Sequence, residues 1–259
     1  MANALLTVKG VSKFFGGIKA LSNVDLLVEQ GTITGLIGPN GAGKTTLFNI
    51  IAGTYNATEG NVFLDKVCID GLPIHKRVEM GIGRTFQITR PFKGLKVIDN
   101  VMLGAHPWTT QNGVKSFFLA GLNSSYLGDQ DMKSYEYALR MMKLAGIENL
   151  KDDIAGNISH GQRRLLEMAR AMAGRPKVLL LDEPGAGLNP HEVDMLLEAL
   201  RSIVVEVGTT VFLVEHNMRL VMNACNYIYA LDFGRKIAEG IPEEISRNQE
   251  VVKAYLGKE

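Results

Sequence analysis

The residues best equipped for chemistry lie in the run Gly38-Pro39-Asn40-Gly41-Ala42-Gly43-Lys44-Thr45, which fits the spacing G-x-x-x-x-G-K-[ST]. It joins an apolar segment of strand character, Thr32–Ile37, to one of helical character, Thr45–Ala52. Glycines let the backbone curl until successive N–H groups point inward, and a helix starting near Lys44 adds the positive end of its dipole. Such a loop is a cradle for phosphate oxygens. Lys44 can reach the β- and γ-phosphates of a nucleotide, and the Thr45 hydroxyl suits Mg²⁺. These residues predict nucleotide binding without fixing its purpose, since kinases, GTPases and motors share the loop.

A second group follows an apolar strand, Val178–Leu181, which ends in Asp182-Glu183. In a parallel sheet the carboxyl ends of the strands face the ligand crevice, so Asp182 would meet the Mg²⁺ of a nucleotide held on the neighbouring loop. Glu183 points differently and can accept the proton of an attacking water, which favours hydrolysis over transfer to a second substrate. Upstream, Ser159 and Gln162 have the spacing of a capping box. That box presents a helix N-terminus able to bind an anion.

The elements that must hold these groups are readable from periodicity. Leu5–Val8, Leu21–Val28 and Thr32–Ile37 read as strands, and Val62–Leu64 with Lys66–Ile69 as a short hairpin across Asp65. Ile74–Met80 reads as a short helix stopped by Gly81. From about Ala105 to Asp131, Pro107, Trp108, Gln111-Asn112-Gly113 and Asn123-Ser124-Ser125 mark an insert. Ser134–Leu144 and the run from Ser159, with Leu165, Met168, Ala169 and Met172, predict a helical lobe. From Lys177 the order is strand Val178–Leu181, helix His191–Val205, strand Thr209–Val214, a short helix, and closing strands Tyr227–Leu231 and Arg235–Ala238. This alternation predicts an α/β fold whose mainly parallel sheet carries helices on both faces.

Composition narrows the functional classes. With 259 residues, 46% hydrophobic and 21% charged, the chain can bury one core, with or without a lobe. Lys+Arg 28 against Asp+Glu 27 leaves a formal charge of +1, so no global field draws in nucleic acid, and none is expected as a partner. Cys68 and Cys225 lack ligand spacing and are expected to be buried small apolar residues. The start, MANALLTVKG, lacks a basic segment followed by an apolar one, and no apolar run approaches a membrane span. The expected location is the cytoplasm, with the membrane reached only through partners.

Ile158-Ser159-His160-Gly161-Gln162-Arg163-Arg164 closely resembles the LSGGQ signature of the ABC ATPases, with His160 where that family usually has glycine. The resemblance implies that Ser159, His160, Gly161 and Gln162 contact the γ-phosphate bound to a partner subunit. It extends in the family's order. Phe15, before Gly16-Gly17, resembles the aromatic that stacks on adenine, and Gln87 in Arg84-Thr85-Phe86-Gln87 resembles the glutamine that senses Mg²⁺ or the attacking water. His216 resembles the switch histidine that contacts the γ-phosphate; Gly185-Ala186-Gly187-Leu188-Asn189 occupies the D-loop, with Asn189 replacing its acid.

The resemblance covers essentially the whole chain. It implies one ABC ATPase domain over 1–259, with a nucleotide-binding core at 1–93 and 173–259, an antiparallel β subdomain, and a helical lobe with its insert at about 94–172. Within the family, Gly83–Gln87, the insert after Gly104, Val214–Met218 and Val252–Gly257 look most like the ATPases of branched-chain amino acid importers. Urea and amide importers use similar ATPases, and the lipopolysaccharide-export ATPase is a neighbour. Soluble family members acting on ribosomes or DNA carry two cassettes or long coiled coils, and neither is present here.

By this resemblance two protomers meet head to tail. Phe15, the Gly38–Thr45 loop, Thr46, Gln87, Asp182, Glu183 and His216 hold one ATP with Mg²⁺, and the opposing signature closes over it. The implied partners are two permease subunits, whose coupling helices meet a groove near Arg90–Phe92, a second ABC ATPase, and indirectly a substrate-binding protein. The implied location is the inner face of the cell membrane.

Overall fold

The structure is a computed structural model that describes residues 4–85, 91–105 and 129–256. The chain divides into two compact units.

The first unit comprises Met1–Arg84, Lys177–Ala186 and Ile203–Glu259. In it β1 (Ala4–Phe15) pairs antiparallel with β2 (Ile18–Glu29) and, on its other edge, with β4 (Glu59–Leu64). Strand β4 continues to β5 (Val67–Cys68) through Asp65 and Lys66, both at positive φ (48° and 67°), the backbone of a type I′ hairpin. Val24, Leu26 and Val28 alternate buried along β2, the period of a sheet with one face on the core.

A second sheet in this unit is built from β3 (Ile33–Ile37), β6 (Ile82–Arg84), β7 (Val178–Asp182), β8 (Thr210–Val214), β9 (Tyr227–Asp232) and β10 (Arg235–Gly240). Their order is β10-β9-β3-β8-β7-β6. Strands β3, β7 and β8 are buried along their whole length, as expected of central parallel strands covered on both faces. Pairing is parallel throughout except for the β9–β10 edge hairpin. Leu36 and Asp182 both pair with Val214, so β3, β7 and β8 end in register on one edge. That edge is where a ligand crevice forms in parallel sheets.

Helix α1 (Lys44–Ala52) contributes Leu47, Phe48, Ile50 and Ile51 to a core shared with Leu6, Leu21, Leu180 and Phe212. Its carboxyl end is finished by α2 (Ile74–Glu79), whose Arg77 is only 1% exposed. The Arg77 guanidinium donates to the carbonyls of Ile50 (2.6 Å), Ile51 (2.8 Å) and Leu72 (3.0 Å), placing a cation on the helix's negative end. α1 is thus pinned at the end remote from its glycine-rich start.

The second unit comprises Thr85–Pro176 and Gly187–Ser202. Among its described residues it is helical: α3 (Val97–Gly104), α4 (Asp129–Leu144), α5 (His160–Ala173) and α6 (Pro190–Ser202), with a 3₁₀ turn at Glu148–Leu150. α5 packs against α3, α4 and α6, burying Leu165, Met168, Ala169 and Met172. α3 approaches α5 so closely at Gly104 that a Cβ there would overlap the Arg170 carbonyl. Gly104→Ala is therefore expected to lower stability by about 1–3 kcal/mol through overpacking. A shifted denaturant midpoint checks this, and an unchanged one would mean that the helices part freely.

Several expectations need correction. Cys68 is exposed rather than buried, because edge strand β5 leaves it outside, where its thiol donates to Asp70 Oδ2 at 3.1 Å. Cys225 is buried, and burial, helped by Glu215, pushes its thiol up to about 12. The helix expected at His191–Val205 is α6 followed in the chain by a π-helical turn, Ile203–Val207. The periodicity did not reveal β6, α3 or the closing helices α8 (Pro242–Arg247) and α9 (Gln249–Leu256), which follow α7 (Met218–Ala224). Trp108 and most of the insert lie outside the described residues. Among those described, no helix is long and apolar enough to cross a membrane.

Candidate nucleotide site

The loop from Gly38 to Gly43 leaves the end of β3 and enters α1. Two of its glycines are dictated by space and torsion. Gly38 has φ 149°, and a Cβ on it would overlap the Leu231 carbonyl of β9. Gly43 has φ 98°, and a Cβ would lie 2.7 Å from the Ala20 carbonyl in β2. Among the described residues, α1 has neither a side-chain cap nor an acidic residue in its first turn. The protein therefore leaves the positive end of that dipole for an anion.

Lys44 is 6% exposed and its ammonium donates to the carbonyls of Gly38 (2.7 Å) and Pro39 (3.0 Å), inside the curve of the loop. Burial lowers its pKa below the usual lysine value, against the opposing pull of Glu183 and Asp182. Asp182 ends β7 at 2% exposure. Glu183, the next residue, turns out with φ 48° while its N–H donates to the Val214 carbonyl at 2.8 Å. A left-handed φ is uncommon for a residue with a side chain, and here it marks where the chain leaves β7. Nδ1 of His216, beyond β8, lies 3.7 Å from Glu183 Oε1. Thus the ends of β3, β7 and β8 bring Lys44, Asp182, Glu183 and His216 to one place.

Glu215 organises this edge and was not singled out from the sequence. It is fully buried, and its carboxylate accepts the N–H groups of Gly185 (2.6 Å), His216 (2.9 Å) and Asn217 (2.9 Å). One side chain so joins the loop after Glu183 to the loop bearing His216. Both carboxylate oxygens are used, Oε1 by Gly185 and Oε2 by His216 and Asn217. A Gln amide cannot accept from all three, so Glu215→Gln is expected to cost about 1–3 kcal/mol, the scale of an unsatisfied buried donor. Thermal unfolding measures it; an unshifted midpoint would show that the loops hold themselves.

Asn40, Gly41 and Thr45 are exposed, Pro39 and Thr46 half-buried, and Ala42 buried. Phe15 is 42% exposed at the end of β1, edge-on to Tyr55 with ring centroids 5.5 Å apart, and the Lys13 ammonium lies 5.1 Å from its ring. The β1–β2 hairpin that carries it meets the loop at Ala20 and Leu21, against Gly43. Gln87 lies outside the described residues. The strand leading towards it ends in Arg84, which donates to Thr54 Oγ1 (3.0 Å) and Asn49 Oδ1 (2.9 Å) and stacks 4.9 Å from the Phe48 ring.

The signature residues belong to the second unit. Ser159 Oγ accepts the Gln162 N–H at 3.2 Å and Gln162 Oε1 accepts the Ser159 N–H at 2.8 Å, so the capping box is formed at the start of α5. Ser159 and His160 are exposed and Gly161 is buried. A Cβ at Gly161 would overlap the Glu192 carboxylate. Glu192 is itself held in a reciprocal box with Asn189, at 3.0 Å in each direction, at the entry to α6. Asn189 thus has a local structural role as the cap of α6, a signal present in the spacing Asn189-Pro190-His191-Glu192.

The class to which this geometry belongs is shown by comparison. The family model described as ABC transporter matches residues 21–186, and a second, branched-chain amino acid ATP-binding cassette transporter, matches 235–259. The high-affinity branched-chain amino acid transport ATP-binding protein BraF of Pseudomonas aeruginosa is 40% identical over 259 residues, covering 100% of both chains. LivG of Escherichia coli, described in the same words, is 38% identical over 258 residues, again covering 100% of both. A solved ADP conformation of an ATP-binding cassette of an ABC transporter is 30% identical, with TM-score 0.83 over 98% of this chain and 99% of that one. A dimeric structure of a bacterial ABC transporter cassette is 25% identical, with TM-score 0.75 over 92% and 98%. The chain belongs to the ABC transporter ATP-binding family. It is an ATP-binding and ATP-hydrolysing cassette.

Proposed function

We propose that this chain is the motor subunit of an importer for branched-chain amino acids, acting on the cytoplasmic face of the membrane through permease subunits. The observation that carries the proposal is the convergence of Lys44, Asp182, Glu183 and His216 at the ends of adjoining parallel strands, in a chain whose full-length relatives are named for branched-chain amino acid transport. The match at 235–259 to a model of the same transport class supports that substrate over urea, amides or lipopolysaccharide. All of 1–259 then serves as one ATPase domain, with 1–93 and 173–259 assigned to its core and about 94–172 to its helical lobe, although 85–93 and Gly187–Ser202 group with the helical unit.

In this reading the backbone of Gly38, Pro39, Asn40, Gly41, Ala42, Gly43, Lys44, Thr45 and Thr46 wraps the phosphates, Lys44 supplies their counter-charge, and Phe15 stacks on adenine. Glu183 accepts the proton of the attacking water. His216, within reach of Glu183, orients that carboxylate and contacts the γ-phosphate. The Thr45 hydroxyl, the Asp182 carboxylate and the Gln87 amide offer only oxygen ligands, and no group of three or more His, Cys, Asp and Glu able to hold a metal occurs among the described residues. Mg²⁺, which takes few protein oxygens and completes its shell with phosphates and water, fits that donor set and would neutralise phosphate charge there.

The signature Ser159, His160, Gly161 and Gln162 is assigned to the nucleotide of a second ABC ATPase, so that ATP binding closes the dimer and hydrolysis reopens it. Two permease subunits receive that motion, and a substrate-binding protein delivers the cargo. The test is uptake of labelled leucine, isoleucine and valine by cells lacking the chain. Restoration by the wild type and not by Lys44→Ala is expected. Restored uptake of urea or an amide, with none of these amino acids, would overturn the substrate.

A further inference from the structure

We infer that Tyr255, in the closing helix α9, is a positioning residue of the phosphate loop: its hydroxyl oxygen fixes the N–H of Gly38, the first residue of that loop, and through the Gly38 torsions the carbonyl that seats Lys44. The inference rests on the nucleotide-binding reading of the loop. Gly38 N–H donates to Tyr255 Oη at 2.8 Å, joining positions 217 apart in the chain. The carbonyl of the same Gly38 accepts from Lys44 Nζ at 2.7 Å. Gly38 is buried, with its α-carbon pressed on the Leu231 carbonyl so that no Cβ fits. One residue is therefore held from three sides, by α9 at its N–H, by β9 at its α-carbon and by Lys44 at its carbonyl. Only the first of these contacts comes from outside the sheet and the loop.

The chemistry of the contact suits an anion cradle. A carboxylate could hold the same N–H but would set a negative charge beside the phosphates. A phenol holds it while neutral, and burial raises the Tyr255 pKa above the usual tyrosine value, with the Gly38 bond pulling the other way. α9 packs against β10 and α8 with Val251 in its first turn 3% exposed, and the Tyr255 ring, 38% exposed, reaches back to Gly38 through its hydroxyl. Without the Tyr255 hydroxyl, the Gly38 N–H loses its acceptor, and the Gly38 torsions that relate this peptide to the next one, whose carbonyl seats Lys44, are less tightly fixed. The cost falls on nucleotide affinity, because the carboxylates at the ends of β7 and the loop after β8 are held by other contacts.

The experiment compares full-length wild type, Tyr255→Phe and Tyr229→Phe, measuring equilibrium binding of a fluorescent ATP analogue together with KM and kcat for Mg-ATP. Tyr229 is the control, since its hydroxyl also bonds backbone in this unit, at Leu27, and the loss of that bond is structural. For Tyr255→Phe the expected result is Kd and KM raised about five-fold, the scale of one lost neutral hydrogen bond, with kcat within about two-fold. Tyr229→Phe should leave KM unchanged. Hydrogen exchange of the segment carrying Gly38, followed without turnover, should quicken only in Tyr255→Phe. Unchanged KM in Tyr255→Phe, an equal rise in both variants, or a fall confined to kcat would each overturn the inference while wild-type binding stands. Failure of the wild type to bind the analogue would instead remove the nucleotide reading on which it rests.

Discussion

Replacing Glu183 by Gln is expected to lower ATP turnover by about 10²–10⁴-fold, the usual contribution of a positioned general base, while nucleotide affinity stays within about three-fold. The substitution keeps the shape of the side chain. It also keeps the backbone N–H bond to Val214 that holds this residue at φ 48°. What it removes is the proton acceptor, 3.7 Å from His216 Nδ1. Phosphate release and binding of labelled ATP, measured on the same preparation, separate the two effects. Turnover within a few-fold of wild type would remove Glu183 as the base; equal losses in binding and turnover would make it a structural residue.

Lys44→Ala is expected to act on the other term, weakening nucleotide binding by roughly 30- to 300-fold, the scale of one or two charge-assisted hydrogen bonds to phosphate. Lys44 is buried in the loop with its pKa lowered by desolvation, so its ammonium is held at a cost that phosphate oxygens would offset. Lys44→Arg should not rescue the loss, since a planar guanidinium does not fit a seat shaped by the carbonyls of Gly38 and Pro39. Calorimetric titration with ATP checks both variants. Rescue by Arg would mean that charge alone, without shape, is required there.

The sequence was most informative where a local rule fixes the outcome. The phosphate loop could be read because Gly38 and Gly43 occupy torsions and spaces that exclude other residues. Strands β3, β7 and β8 could be read because buried parallel strands are continuous apolar runs. The box at Ser159 and Gln162 spans a single turn, and so does the one at Asn189 and Glu192.

What escaped reading depends on distant parts of the chain. Arg77 finishes α1 from 26 and 27 positions away, and Glu215 reaches 30 positions back to Gly185. No periodicity announces a charged side chain that will be buried by backbone groups it has yet to meet. Strand β6 is three residues long and exists through its pairing with β7. Cys68 was misread because its exposure is a property of an edge strand, which its own residues do not specify.

The most direct test is whether the chain is held at a membrane, and by which proteins. The Glu183→Gln variant, tagged and recovered from gently solubilised native membranes in Mg-ATP, should remain in its ATP-bound assembly and bring with it two strongly apolar permeases and a second ABC ATPase. Recovery with ribosomal proteins or DNA-bound factors, and without membrane subunits, would contradict the transport assignment while leaving the ATPase chemistry in place.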